Sequence, residues 1–268
     1  IVGAQLGRSL IGRAWFDKDA CDYGIKALRS FKQKYDNKTR TLTQGYMHDW
    51  ASHAGTAWFH LARGLSRIPT AMAGQVRRFN PSHQWIHNKI AAGELTLQQL
   101  DVQTYFFRRT NTNAKGEARS WTDHLLWHHA CHTVDLFQYQ TGEVCSQAHG
   151  LQGPLHPDLG IAMDMSIGMK VPSGAICTLS LSFNNDGPLG TFFRYICDKG
   201  TYLARYDDLY DGYENQIDLS DVAVSNNGIE LIDREFIAAI REGRKPNGCV
   251  TDVLGAMQTL DKIEQSLN

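Results

Sequence analysis

From Ile161 to Phe183 the chain places an apolar residue at every second position: Ile161, Met163, Met165, Ile167 and Met169, then Ala175, Cys177, Leu179, Leu181 and Phe183. The residues between the methionines are small or polar, and Pro172-Ser173-Gly174 separates the two runs. Strict alternation is the mark of a strand with one face in the core and one face out. Thr191 to Cys197 and Thr201 to Tyr206 follow, set off by Asn185-Asp186-Gly187 and Asp198-Lys199-Gly200. Turns this short predict an antiparallel meander with one covered face, and they rule out an all-helical chain.

Helices are available to cover that face. Ser82 to Ala92 carries Trp85, Ile86, Ile90 and Ala91 at helical spacing and stops at Gly93. Asp123 to Tyr139 collects Leu125, Leu126, Ala130, Val134 and Phe137, with Thr122 or Asp123 as the expected N-cap. Ile229 to Glu242 and Val250 to Leu267 are amphipathic and close the chain. Val102 to Phe107, rich in β-branched and aromatic residues, predicts one further strand. The fold class expected is α/β: an incomplete or atypical N-terminal Rossmann-type region, then an α+β domain with a large, mostly antiparallel open sheet.

The first 75 of the 268 residues have a different texture. They hold eleven Lys and Arg against five Asp and no Glu, a balance of +6, whereas the remainder carries −7. The first glutamate is Glu94 and the first methionine Met47, and the chain opens on Ile1. The expectation is that the natural start is missing or processed, and no signal-peptide pattern stands at the front. The basic stretch Lys32 to Arg40 is open to two readings, a nucleic-acid patch or a solvated or non-native segment; few aromatics interleave with it, which favours the second. A total charge of −1 argues against a protein that works by gripping phosphates. No apolar run reaches the roughly 18 residues of a membrane span.

Six cysteines are scattered without a C-x-x-C pair, which removes zinc-ribbon and thioredoxin readings and suits a reduced, cytoplasmic chain. Cys131 reads as a small buried hydrophobe before it reads as a nucleophile. Around it lies the densest polar block, Trp121 to Asp135, with four of the eleven histidines in nine residues. On a regular helix His128, His132 and Asp135 share a face. That face suits proton transfer, because imidazole titrates near neutrality and a neighbour can fix its tautomer. It also suits a metal, through His-x-x-x-His, although the Glu of H-E-x-x-H is absent; the third reading is histidines satisfied inside the core. Arg77-Arg78, Arg108-Arg109 and Arg119 offer guanidinium forks for a substrate with more than one carboxylate, or ordinary surface ion pairs. There is no G-x-G-x-x-G, no Walker motif and no G-x-S-x-G.

Four segments then carry a resemblance: Arg77-Arg78-Phe79-Asn80-Pro81-Ser82-His83-Gln84, Tyr105-Phe106-Phe107-Arg108-Arg109, the block Trp121 to Asp135, and Ser180 to Phe193. With Glu235 to Pro246, they resemble the glucose-fructose oxidoreductase/inositol dehydrogenase superfamily from about residue 70 to 268. The resemblance implies an NADP-dependent dehydrogenase, with NAD as the alternative cofactor. It would oxidise the cyclic hemiacetal of a carboxylated hydroxymuconate semialdehyde to 2-pyrone-4,6-dicarboxylate in protocatechuate 4,5-cleavage. The superfamily's Asp-x-x-x-His motif falls on His128 and His132, so the Asp position is His here. The implied base is one of these two, with His132 favoured and His128 positioning the hemiacetal. Arg77, Arg78, Asn80, Arg109, Trp121, Asp123 and His129 are the implied substrate-binding residues; no metal is implied and no cofactor-binding residue is assigned. A homodimer is implied, with Met163, Met165 and Met169 exposed on the paired face. Residues 1–75 are expected to be an atypical or truncated remnant of a nucleotide-binding domain, and 76–268 the substrate and dimerisation domain. The alternatives are a catalytically impaired fragment of such an enzyme, or a metal-dependent hydrolase or lyase built on His124, His128, His129 and His132.

Overall fold

The computed structural model describes residues 26, 33–36, 41–46, 71–112, 116–118, 124–188, 190–223 and 228–267. The chain divides into two compact units, one made of Ile1–Ala71 and Ala239–Pro246, the other of Met72–Ala238 and Asn247–Asn268. In the first, β1 (Gln33–Asp36) and β2 (Thr41–Tyr46) pair antiparallel, taking in part of the basic stretch. Apart from residue 26, the rest of residues 1–70, most of the span 1–75 expected to be a remnant nucleotide-binding domain, lies outside the described residues.

The second unit is built on a seven-stranded sheet of β3 (Leu97–Tyr105), β4 (Gln147–Gln152), β5 (Asp164–Lys170), β6 (Ile176–Ser182), β7 (Gly190–Cys197), β8 (Gly200–Arg205) and β9 (Asp208–Asp211). Its order is β4-β5-β6-β3-β7-β8-β9, and every neighbouring pair is antiparallel except β3 with β6. The expected hairpins β5–β6 and β7–β8 form. The continuous meander does not, because β3 inserts between β6 and β7. Leu100 and Val102 of β3 are fully buried, as suits a strand with a neighbour on each side. The seven residues between β6 and β7 are enough to step over one strand, roughly 10 Å.

Alternation decides which face is covered. Met165, Ile167 and Met169 of β5, Cys177, Leu179 and Leu181 of β6, and Phe193 and Tyr195 of β7 all point into one core. Three helices supply the other half of it: α1 (Pro81–Ala91) through Ile86, α2 (Cys131–Thr141) through Val134, Leu136 and Phe137, and α4 (Val250–Ser266) through Ala256, Leu260 and Ile263. Between α2 and α4 in sequence stands α3 (Ile229–Glu242), whose buried side chain is Ala239. Met163, Met165 and Met169, expected to be exposed, are only 4, 2 and 3% accessible. They face the chain's own helices, because burying thioethers against Leu and Ile is what the alternation serves. The open face carries Asp164, Ser166, Lys170 and Thr178 instead.

Both helices next to the site begin differently from expectation. Asn80 precedes α1 in extended geometry, and Pro81 occupies its first turn, where a missing N–H costs nothing. The block expected as one helix from Asp123 divides in two. Leu125–Ala130 is a π turn, closed by a Cys131 N–H to Leu126 carbonyl bond, and the α-helix starts only at Cys131. Its entrance is capped by the His124 ring nitrogen, which accepts from the Leu126 N–H, in place of Thr122 or Asp123. Among the described residues, no helix is long and apolar enough to cross a membrane.

Candidate active site

The start of α2 lies at the end of the sheet where β3 and β6 finish and β7 begins. A 3-10 turn, Val76–Phe79, crosses beside it. The turn is anchored through its approach: the Ala73 N–H donates to the Gly248 carbonyl, the Gln75 N–H to Ala73, and the Arg78 N–H to Gln75. Two cross-links then join turn and helix. Gln75 Oε1 lies 3.0 Å from His132 Nδ1. One step along both elements, Arg78 grips Asp135 with both arms of its fork, Nε to Oδ2 at 2.8 Å and Nη2 to Oδ1 at 2.7 Å. Each partner in these links is three residues from its mate, so a single approach of the two elements sets both.

The first link bears on the tautomer of His132. An amide oxygen only accepts, so Nδ1 carries the hydrogen and Nε2 keeps its lone pair. Burial, and after it the charge of Arg77, lower the imidazole pKa to about 4. At neutral pH the ring is therefore an uncharged base. His83 is wholly buried, its Nδ1 2.8 Å from the Tyr195 hydroxyl and its ring edge-on to Phe193. Burial and Arg77 hold it neutral too, with its pKa well below the usual histidine value.

Arg77 has a different setting. Its contacts are with neutral oxygens, Thr191 Oγ1 at 3.3 Å and Asn80 Oδ1 at 3.5 Å, and with the rings of Phe193 and Tyr206. Burial lowers its pKa against the raising pull of Tyr206, Tyr195 and Asp207. Asn80 donates to Asp207 at 2.6 Å and Ser82 Oγ to the Tyr206 carbonyl at 2.6 Å, which ties the β8–β9 turn to the start of α1. Tyr206 sits in that turn with φ +55, and its hydroxyl lies against Gly190, whose φ is +127. A side chain at 190 would collide with that ring.

The expected residues thus fall into groups. His132, Arg77, Arg78 and Asn80 come together, but the Arg78 fork is closed on Asp135, supplemented by Asn247 at 3.3 Å and the Tyr139 ring at 4.7 Å. His128 is exposed, and its Nδ1 accepts from the His124 N–H at 2.8 Å. His128 lies within the π turn and His132 in the α-helix that follows it, and despite their i, i+4 spacing the first is exposed while the second meets Gln75. His129 packs on Phe106 and Phe183. Arg109 is exposed beside it, stacked on Phe107 at 4.2 Å and bonded to the Phe183 carbonyl and Asn184. Trp121 and Asp123 lie outside the described residues. The Cys131 thiol is pushed up to about 11 by burial, which makes it inert as a nucleophile. Gln75, His83, Thr191, Tyr195, Tyr206 and Asp207 were not expected from sequence; the one signal was the shared three-residue spacing of Gln75/Arg78 and His132/Asp135.

Among the described residues, no group of three or more His, Cys, Asp and Glu side chains could hold a metal ion. His124 accepts from the Leu126 N–H, His128 from the His124 N–H, His129 packs on Phe106 and Phe183, and His132 meets Gln75. The described residues also contain no glycine-rich turn leading from a strand into a helix, the cradle a dinucleotide phosphate needs.

Residues 81–223 match the family model of bacterial oxidoreductases, C-terminal. The chain is 71% identical over 196 residues to 4-carboxy-2-hydroxymuconate-6-semialdehyde dehydrogenase of Sphingobium sp. (strain NBRC 103272 / SYK-6), an alignment covering 73% of this chain and 62% of that protein. The chain therefore spans less than two thirds of the length of this curated relative. Among solved structures it is similar to a UDP-N-acetylglucosamine 3-dehydrogenase of Acidithiobacillus ferrooxidans, with TM-score 0.61, 13% identity, and coverage of 81% of this chain and 67% of that one. An oxidoreductase of Agrobacterium radiobacter in complex with NAD+, L-tartaric acid and magnesium is similar too, with TM-score 0.60, 13% identity, and coverage of 81% and 66%. At these identities the solved structures show the fold alone.

Proposed function

The chain belongs to the bacterial oxidoreductases through their C-terminal domain, and from that premise we propose that it acts on the substrate of its curated relative. The reaction is oxidation of the cyclic hemiacetal of 4-carboxy-2-hydroxymuconate 6-semialdehyde to 2-pyrone-4,6-dicarboxylate, with NADP as the cofactor. The oxidation takes a hydride from the ring carbon, the chemistry a nicotinamide supplies, and a proton from the ring hydroxyl, which falls to the protein. No described residue is assigned to the nucleotide.

One observation carries the reading on the substrate side. His132 is a neutral imidazole with its Nδ1 hydrogen directed to Gln75 Oε1 and its Nε2 lone pair unspent. Its Nε2 is the base. Arg77, a half-buried cation bonded to the neutral oxygens of Thr191 and Asn80, answers one substrate carboxylate, and exposed Arg109 answers the other. Asn80 and His129 are the further proposed substrate contacts, and Trp121 and Asp123 are proposed from the resemblance alone. Arg78, committed to Asp135, holds the helix rather than the substrate. His132 is preferred over His128 as base because His128 faces solvent and its Nδ1 accepts from the backbone.

The same proposal takes residues 76–268 as the substrate and dimerisation domain and 1–75 as the remnant of a nucleotide-binding domain, in a cytoplasmic homodimer. A second copy would cover the open sheet face around Asp101, Ser166, Thr178 and Ser180. The test is turnover: purified chain, the semialdehyde, and NADP or NAD in parallel, followed by absorbance of the reduced nucleotide. Reduction with NADP that His132→Asn abolishes supports the reading. A folded chain that reduces neither nucleotide overturns it and marks the chain as a catalytically impaired relative of the enzyme.

A further inference from the structure

We propose that Gln75 is a positioning residue that fixes the tautomer of His132 and thereby directs which ring nitrogen faces the reacting hydroxyl. The inference rests on the reading of His132 as base, and its argument is geometric. Gln75 is buried, and its backbone is held on both sides, the N–H by the Ala73 carbonyl and the carbonyl by the Arg78 N–H. Its side chain is therefore delivered from a fixed point, and Oε1 reaches His132 Nδ1 at 3.0 Å. The Arg78–Asp135 fork sits one step further along the same two elements, so α2 cannot slide or rotate away from Gln75 without breaking a buried ion pair. An imidazole in water favours hydrogen on Nε2; an acceptor held at Nδ1 reverses that preference. Proton abstraction from the substrate then falls to Nε2, and the imidazolium formed keeps both hydrogens bonded.

The experiment is nitrogen NMR of the full chain labelled with 15N-histidine, with the His132 signals assigned by their loss in His132→Asn. Wild type is expected to show a protonated Nδ1 and an unprotonated Nε2. In Gln75→Leu the hydrogen moves to Nε2, and kcat falls at least about tenfold with KM little changed. Gln75→Glu, which keeps an acceptor at Nδ1, restores the wild-type tautomer and most of kcat. Wild-type His132 carrying its hydrogen on Nε2, or a Gln75→Leu tautomer unchanged from wild type, overturns the proposal. So does a shifted tautomer with kcat untouched, although the dehydrogenase reading then stands. If no variant turns over substrate, that reading fails alone, and the tautomer shift in Gln75→Leu still decides whether Gln75 fixes the ring.

Discussion

Replacing Arg78 by Met and Asp135 by Leu, singly and together, separates a helix-holding role from a substrate-binding one. The two side chains are 5 and 1% accessible, and the fork closes at 2.8 and 2.7 Å. Each single replacement leaves a buried charge without its counter-ion, at a cost of about 3–5 kcal/mol. Arg78→Met should sit at the upper end, since it also abandons Asn247 and the face of Tyr139. The double replacement is a different matter. Burial raises the Asp135 carboxyl pKa in spite of the guanidinium beside it, so desolvation outweighs the attraction within the pair. Two apolar side chains of similar size should therefore cost less than either single change, with a coupling of at least about 3 kcal/mol. Urea denaturation followed by circular dichroism at neutral pH measures all three. Costs that simply add would refute the reasoning, because they would mean that neither charge depends on the other. So would an Arg78→Met chain of undiminished stability whose only defect is a raised KM.

Lowering the pH tests His132. Its folded pKa of about 4 lies below the ordinary 6.5, so the unfolded chain takes up a proton that the folded chain refuses. Stability is full above 6.5 and falls as the pH drops toward 4, by up to about 3 kcal/mol from this residue. His83 acts with the same sign, and urea midpoints across that window should flatten in His132→Asn; an equal slope in both chains would count against the buried neutral ring. Gly190→Ala forces a side chain into a positive-φ site against Tyr206, and should lower stability by about 1–3 kcal/mol. Thermal melts that show no loss would contradict that packing. Cys131, with a thiol pKa of about 11, should resist alkylation at neutral pH until the chain unfolds, as peptide mass mapping will report.

Much of this architecture was legible in the residues. A period of two from Ile161 to Phe183 can only be served by half-buried strands, and Gly93, in left-handed geometry just past α1, ends that helix where the sequence placed its stop. The residues of the proposed site drew attention as well, because four histidines in nine residues and the Arg77-Arg78 pair stand out without a structure.

What only the tertiary structure decided is which of those groups meet. Strand order depends on which strand gains most from two covered neighbours, a comparison across the whole sheet, and it placed β3 in the middle where local turns implied a simple meander. The methionine face was readable as apolar but not as covered, since the helices that cover it lie before and after it in sequence. Helical spacing put His128 beside His132; in the fold His128 stands exposed in a π turn and His132 meets Gln75 near the start of α2. The two adjacent arginines looked interchangeable until α2 presented a carboxylate to Arg78, while Arg77 bonds the neutral oxygens of Thr191 and Asn80. Residue types name the chemistry a chain can do, while the packing of distant elements selects which side chain is spent on the fold and which is left for a substrate.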